Sequence, residues 1–175
     1  FDTTPKKVEV KGLDKSKYQC SIEENISYMK KRCLIVAVGD GNRVIGDGEN
    51  LPDWSLRDDM KFFKDMTKNQ VVVMGRKNYD SLPEKWKPLP DRTNIIITRK
   101  TSLETGHLKN DNVIISLSLW EALDKAERNL GEKIFIIGGG EIYKMALESI
   151  VFDEIHITTV FGKFEGTTVE AYTFM

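Results

Sequence analysis

Long hydrophobic runs are missing from this 175-residue chain: no apolar stretch approaches the ~20 residues a membrane-spanning helix requires. An excess of charge of either sign is missing too, since 26 Lys and Arg face 27 Asp and Glu. The net charge of −1 offers no broad basic field, so neither nucleic acid nor a membrane is an expected partner. Cysteine is scarce. Cys20 and Cys33 have neither zinc-ligand nor redox-motif spacing, which makes a reduced, cytoplasmic setting the expectation. His107 and His156 are too isolated to suggest a metal site, and none is expected. The opening residues FDTTPKKVEV lack the charged-then-apolar order of a signal peptide. Repeats, low-complexity linkers, a Walker loop, a nucleophile elbow and paired catalytic carboxylates are all absent from the string. The remainder is 40% hydrophobic and 30% charged, the balance of a single globular domain able to bury a core without disulfide or metal staples.

Short β-branched runs recur at Leu34–Val38, Val71–Met74, Asn94–Thr98, Asn112–Ile115, Ile134–Ile137 and Glu154–Val160. Near-continuous apolar runs of this length read as strands buried on both faces of a mostly parallel sheet. Helix-like stretches lie between them: Leu56–Met66, Lys77–Leu82, Ser118–Asn129 and Glu141–Glu148. Ser118 followed three positions later by Glu121 has the form of a capping box. Alternating strand and helix predicts an α/β fold with a central twisted sheet and helices on both faces. An antiparallel hairpin is expected at one sheet edge, and the hairpin-like material is at the front, in Lys7–Lys11 and Tyr18–Lys30.

Four segments could carry chemistry. In residues 51–66, Leu56, Met60, Phe62, Phe63 and Met66 share one broad helical face, and Asp59 interrupts it. A carboxylate buried there needs partners; either it pairs internally or it faces a pocket and bonds a polar heterocycle. In IFIIGGGEIYKMAL, three glycines join a strand to a helix, which permits a tight turn or close backbone approach to a phosphate at the helix start. The GxGxxG fingerprint is not present. VVVMGRKNYDSLP again runs strand, glycine, helix, with Arg76 and Lys77 at the turn, and RTNIIITRK exits into Thr98, Arg99 and Lys100. Each basic pair alone reads as solvated surface, but three strand ends bearing glycine or cations converge on a phosphorylated cofactor, because open α/β sheets bind ligands at the carboxyl ends of their strands. Arg92, beside a strand, either faces water, as arginine at a strand edge often does, or offers its planar fork to a carboxylate.

Taken in order, CLIVAVGDGNRVIG, LPDW with DDMKFF, VVVMGRK, SLPEKWKPLPDRTNIIITRK, IFIIGGGEIY and EIHITTVFGKFEGTT resemble the dihydrofolate reductase family over roughly residues 33–168. The resemblance implies an enzyme, expected as a monomer, that reduces 7,8-dihydrofolate with hydride from NADPH and binds antifolates. It implies that Asp59 anchors the pterin and promotes protonation at N5, with Thr158 bonded to both. Ile35, Val36, Ala37, Met60, Phe63, Leu82 and Leu89 match the apolar walls around the substrate, and Arg92 matches the arginine that pairs with its glutamate tail. Gly75, Arg76, Lys77 and Asn78 match the turn that contacts the cofactor phosphates, and Thr98 and Arg99 the site of the 2′-phosphate. Gly139, Gly140, Ile142 and Tyr143 match the turn and helix under the pyrophosphate and nicotinamide. Ala37, Ile45 and Leu51 match the nicotinamide side, with Asp47–Leu51 as the lid.

Three positions depart from the family pattern: Asp53 separates Pro52 from Trp54, Asn78 stands where Thr is usual, and Thr167 where Asp is frequent. The family pattern also begins near Cys33 and continues past the point where this chain stops at TFM. Circular permutation is therefore the leading expectation, with residues 1–32 supplying the family's last strands and a join at Lys31–Arg32; an N-terminal extension is the rival. Two other functions stay open, a reductase of the same fold acting on another heterocycle and a nonenzymatic nucleotide-binding module.

Overall fold

The computed structural model describes residues 29–39, 44–46, 57–100, 110–160 and 167–168, with only the backbone described at 44–46, 57–59, 160 and 167–168. Six strands form one sheet: β1 (Lys31–Gly39), β3 (Val71–Gly75), β4 (Thr93–Ile97), β5 (Val113–Ser116), β6 (Lys133–Gly138) and β7 (Glu154–Val160). Their order is β5-β4-β3-β6-β1-β7, and every pairing is parallel. Helices α1 (Arg57–Thr67), α2 (Arg76–Asp80), α3 (Leu119–Glu127) and α4 (Gly140–Ser149) connect them, along with a 3₁₀ turn at Glu84–Trp86. Among the described residues no helix is long and apolar enough to cross a membrane.

Side chains alternate along each strand, and both sets are buried in β1, β3, β4 and β6, whereas on the edge strand β7 Ile155 and Ile157 are exposed. Leu34, Val36, Val38, Val71, Val73, Ile95, Ile134 and Ile136 fill one layer against Leu119, Ala122, Leu123 and Ala126 of α3 and Ile142, Tyr143 and Ala146 of α4. Cys33, Ile35, Val72, Met74, Ile96 and Phe135 fill the other, against Tyr79 of α2, Leu89, and the partly buried Phe63 and Met66 of α1. Burial on both faces is why these strands read as unbroken apolar runs. Ser118 caps α3 by accepting from the Glu121 amide at 3.1 Å. The Glu121 carboxylate reaches one residue beyond the cap, accepting from the Leu117 amide at 2.6 Å, and that bond chiefly holds its pKa below the usual carboxylate range.

Among the described residues this sheet includes no antiparallel edge hairpin. The antiparallel pair among the described residues is separate and very short, β2 (Val44–Gly46) with β8 (Thr167–Thr168). Of the hairpin-like segments, Lys7–Lys11 and all of Tyr18–Lys30 up to Tyr28 lie outside the described residues, and Lys31 and Arg32, set at the proposed join, are the first residues of β1, opposite Lys133 and Ile134 of β6. Just ahead of them, the Lys30 ammonium donates to the carbonyls of Ala126, Asn129 and Leu130, tying the start of β1 to the C-terminal end of α3.

Cys33 and His156, isolated in the sequence, share the Glu154 carboxylate near the amino ends of β1, β6 and β7. Parallel pairing sets Cys33 beside Glu154 and Ile35 beside His156. The Glu154 carboxylate accepts from Lys133 Nζ at 3.1 and 3.2 Å and lies 3.1 Å from His156 Nε2 and 3.5 Å from Cys33 Sγ. Its pKa falls to about 2, chiefly through the His156 hydrogen bond and then through Lys133. Burial, followed by the Glu154 charge, pushes the Cys33 thiol up to about 12.

Candidate functional site

At the opposite, carboxyl edge of the sheet, the three adjacent strands β3, β6 and β1 each end in glycine: Gly75, Gly138 and Gly39. The chain passes from β1 to β3 and later returns to insert β6 between them, so the crevice where an open α/β sheet takes ligands opens there. A Cβ at Gly75 would stand 3.0 Å from Cγ1 of Ile142, so this glycine lets the end of β3 close on the first turn of α4. Gly138 has φ +129, and a Cβ there would meet the Tyr143 hydroxyl at 3.3 Å. The Tyr143 hydroxyl is 2.8 Å from the carbonyls of both Ile35 and Ile137, bridging β1 and β6. Gly139, N-cap of α4, provides no side-chain cap, and a Cβ on it would meet nothing within 4 Å. Backbone approach is therefore open at the start of a ten-residue helix. Ile142 and Tyr143 themselves are buried in the layer beneath.

The cationic groups expected nearby are partly committed. The Arg76 Nε binds both carboxylate oxygens of Asp80, at 3.1 and 3.0 Å, one helical turn on. Lys77 is exposed, and Asn78 is half-buried with its carbonyl accepting from Ser81 Oγ at 2.7 Å. Thr98 is buried at the end of β4: its amide donates to the Ser116 carbonyl at 2.9 Å and its hydroxyl accepts from the Lys100 amide at 3.2 Å. Arg99 next to it is exposed.

The apolar-wall residues divide. Ile35, Phe63, Leu82 and Leu89 come together in the α1 layer, and Ala37 faces the same side by the pleat of β1. Thr158 is half-buried on β7 directly opposite Ala37. Val36 points to the other layer, because adjacent residues of a strand alternate. Met60 is 58% exposed and Phe62 40%, so the stripe of α1 that meets the sheet is narrower than its sequence implied. Phe62 instead lies edge-on to His156, 6.0 Å between centroids. Asp59 is a residue of α1, one turn ahead of Phe63, and its side chain lies outside the described residues, as does that of Ile45 in β2. Leu51 and the whole Asp47–Leu51 segment also lie outside them.

Arg92 is 4% exposed. Its Nε donates to the Pro90 carbonyl at 2.8 Å, its Nη1 to Thr67 Oγ1 at 3.0 Å, and its guanidinium stands 5.8 Å from the Phe63 ring centre. Burial, the larger influence, lowers its pKa against the opposing charge of Asp91. Two residues that the sequence does not single out hold this region. Asn94, fully buried, accepts from the Leu89 amide at 3.0 Å and donates to the carbonyls of Leu89 at 3.0 Å and Arg92 at 3.1 Å. Thr67, also fully buried, donates to the Phe63 carbonyl at 2.7 Å. Polar residues ending a helix or opening a strand are too common to signal such roles.

The family model described as dihydrofolate reductase matches residues 32–173. A dihydrofolate reductase of Aedes albopictus is 38% identical over 148 residues, covering 78% of this chain and 77% of that protein. A putative dihydrofolate reductase of Caenorhabditis elegans is 37% identical over 149 residues, covering 79% of this chain and 76% of its own length. A bifunctional dihydrofolate reductase-thymidylate synthase of Daucus carota is 39% identical over 137 residues, or 72% of this chain. The chain spans about a quarter of the length of such bifunctional relatives.

Proposed function

Because the chain belongs to the dihydrofolate reductase family, we propose that it reduces 7,8-dihydrofolate to 5,6,7,8-tetrahydrofolate with NADPH as reductant. The observation that carries this reading is the family match, whose span from Arg32 in β1 to residue 173 takes in all six strands of the sheet.

NADPH fits the residues at the carboxyl edge. Open space over Gly139 and the uncapped start of α4 suit a pyrophosphate, and the turn of Gly75, Arg76, Lys77 and Asn78 suits phosphate oxygens. Gly140, Ile142 and Tyr143 form the floor, and Thr98 and Arg99 at the end of β4 suit the 2′-phosphate that distinguishes NADPH from NADH. When bound, NADPH supplies the hydride, and one proton from solvent completes the reduction of the C=N bond.

The chain's own residues orient the substrate and manage that proton. Ile35, Ala37, Phe63, Leu82 and Leu89 form an apolar wall that excludes water from the ring and fixes its plane. Asp59 and Thr158 hold the polar edge of the pterin and favour protonation at N5. A carboxylate in an apolar pocket has its pKa raised, so it retains a proton nearer neutral pH. Arg92 pairs with the carboxylate of the glutamate tail through a guanidinium already desolvated in the fold.

NADPH-dependent loss of absorbance with dihydrofolate tests the reading. Asp59→Asn is expected to lower turnover near neutral pH by about 10²–10⁴-fold, the usual weight of a positioned proton-transfer group, while leaving NADPH binding largely intact. Near-wild-type turnover of this variant refutes the role of Asp59.

A further inference from the structure

The Arg92 guanidinium carries five N–H donors. One, on Nε, goes to the Pro90 carbonyl, and one, on Nη1, goes to Thr67. Nη2 has no hydrogen-bond partner among the described residues, and no carboxylate pairs with the guanidinium there. With the Nε edge consumed, the pair of donors left for a two-point contact is one on Nη1 and one on Nη2. Which way that pair faces depends on the two bonds already made, and Pro90 fixes only the Nε end.

Thr67 fixes the other end, and its polarity is forced. Arginine cannot accept a hydrogen bond, so Thr67 Oγ1 must accept from Nη1. The hydroxyl proton is then directed elsewhere, and the Phe63 carbonyl takes it at 2.7 Å, one turn back along α1. Full burial and a β-branched side chain keep this hydroxyl in one rotamer. The Phe63 ring meanwhile underlies the guanidinium at 5.8 Å, so the same turn of α1 supplies both the ring and the hydroxyl.

Resting on the reading of Arg92 as the partner of the substrate tail, we propose that Thr67 is a positioning residue: it holds the guanidinium so that its Nη1–Nη2 edge meets the glutamate carboxylate of the substrate. Thr67 touches no substrate itself. It sets the preference for tail-bearing substrates over the same ring system without the glutamate, and it leaves the reducing step unchanged.

Steady-state kinetics of the full chain with dihydrofolate and with 7,8-dihydropteroate, which lacks the glutamate, separate this role from a structural one. Thr67→Val keeps the shape and removes the acceptor. It is expected to raise KM for dihydrofolate about tenfold, the weight of one hydrogen bond to a charged group. KM for dihydropteroate and kcat for both substrates are expected to stay within about twofold of the unmodified chain. Thr67→Ser keeps the acceptor and is expected to restore the dihydrofolate KM. In an Arg92→Leu background Thr67→Val is expected to add nothing further, and Thr67→Ala supplies the same comparison should the valine variant not fold. Equal rises in KM for the two substrates, an unchanged dihydrofolate KM in Thr67→Val, or failure of Thr67→Ser to restore it overturns the proposal. Turnover of dihydrofolate by the unmodified chain is measured first; its absence overturns the family-level reading and this inference with it, whereas turnover with an indifferent Thr67→Val overturns this inference alone.

Discussion

Removing the Asn94 side chain tests how the loop between the 3₁₀ turn and β4 is held. The residue is fully buried, and its amide makes three hydrogen bonds, all to backbone groups of Leu89 and Arg92. Only one amide orientation satisfies them, since the Leu89 N–H requires an oxygen and the two carbonyls require the nitrogen. Asn94→Ala leaves one donor and two acceptors without these partners. At about 1–3 kcal/mol for each orphaned group, reduced where water enters the space, the expected loss is about 3–4 kcal/mol. Asn94→Asp keeps the acceptor but turns an oxygen toward both carbonyls and adds a buried charge, so it is expected to be at least as damaging at neutral pH. Urea unfolding followed by circular dichroism reads the effect. With a slope of about 2 kcal/mol per M, the midpoint falls by about 1.5–2 M at unchanged slope. A loss below about 1 kcal/mol for Asn94→Ala, or an aspartate variant more stable than the alanine one, refutes the hydrogen-bond assignment.

Three other perturbations probe opposite ends of the sheet. The Glu154 pKa, about 2 in the fold against 4.5 ordinarily, contributes stability that is present above pH 4.5 and is lost as pH falls from 4.5 toward 2. With the side chain about a quarter exposed, solvent screening reduces that contribution to about 1–2 kcal/mol. Urea titrations at pH 7 and pH 3 are expected to show the gap between the unmodified chain and Glu154→Gln narrowing at the lower pH, and a constant gap counts against the shifted carboxylate. At the carboxyl end, Gly138→Ala forces a side chain into φ +129 beside Tyr143 and is expected to lose about 1–3 kcal/mol. Gly139→Ala meets open space, so its stability loss is expected to be smaller while its NADPH affinity, measured by fluorescence titration, falls. Unchanged NADPH affinity removes Gly139 from the cofactor site.

The strands were legible because a parallel sheet covered on both faces leaves almost no polar position in its middle, so runs such as Val71–Met74 and Ile134–Ile137 announce themselves. The α3 cap was legible for a similar reason, since Ser118 and Glu121 bond within four residues. The exposed Met60 and Phe62 were not, because how much of a helix face meets a sheet depends on where the helix lies across it. The separation of Val36 from Ile35 follows from the pleat, but which side of β1 faces which helices is decided only when the strands pair. Local spacing along this chain thus determined its elements, its capped helix and the glycine turns that end its strands. Bringing Cys33, Lys133, Glu154 and His156 into one cluster, seating Arg92 on Phe63 and Thr67, and closing Asn94 on the Leu89–Arg92 turn belonged to the tertiary structure. Most of these contacts join residues brought together only by strand order and helix docking, and a buried polar group takes its meaning from the partner the fold delivers to it.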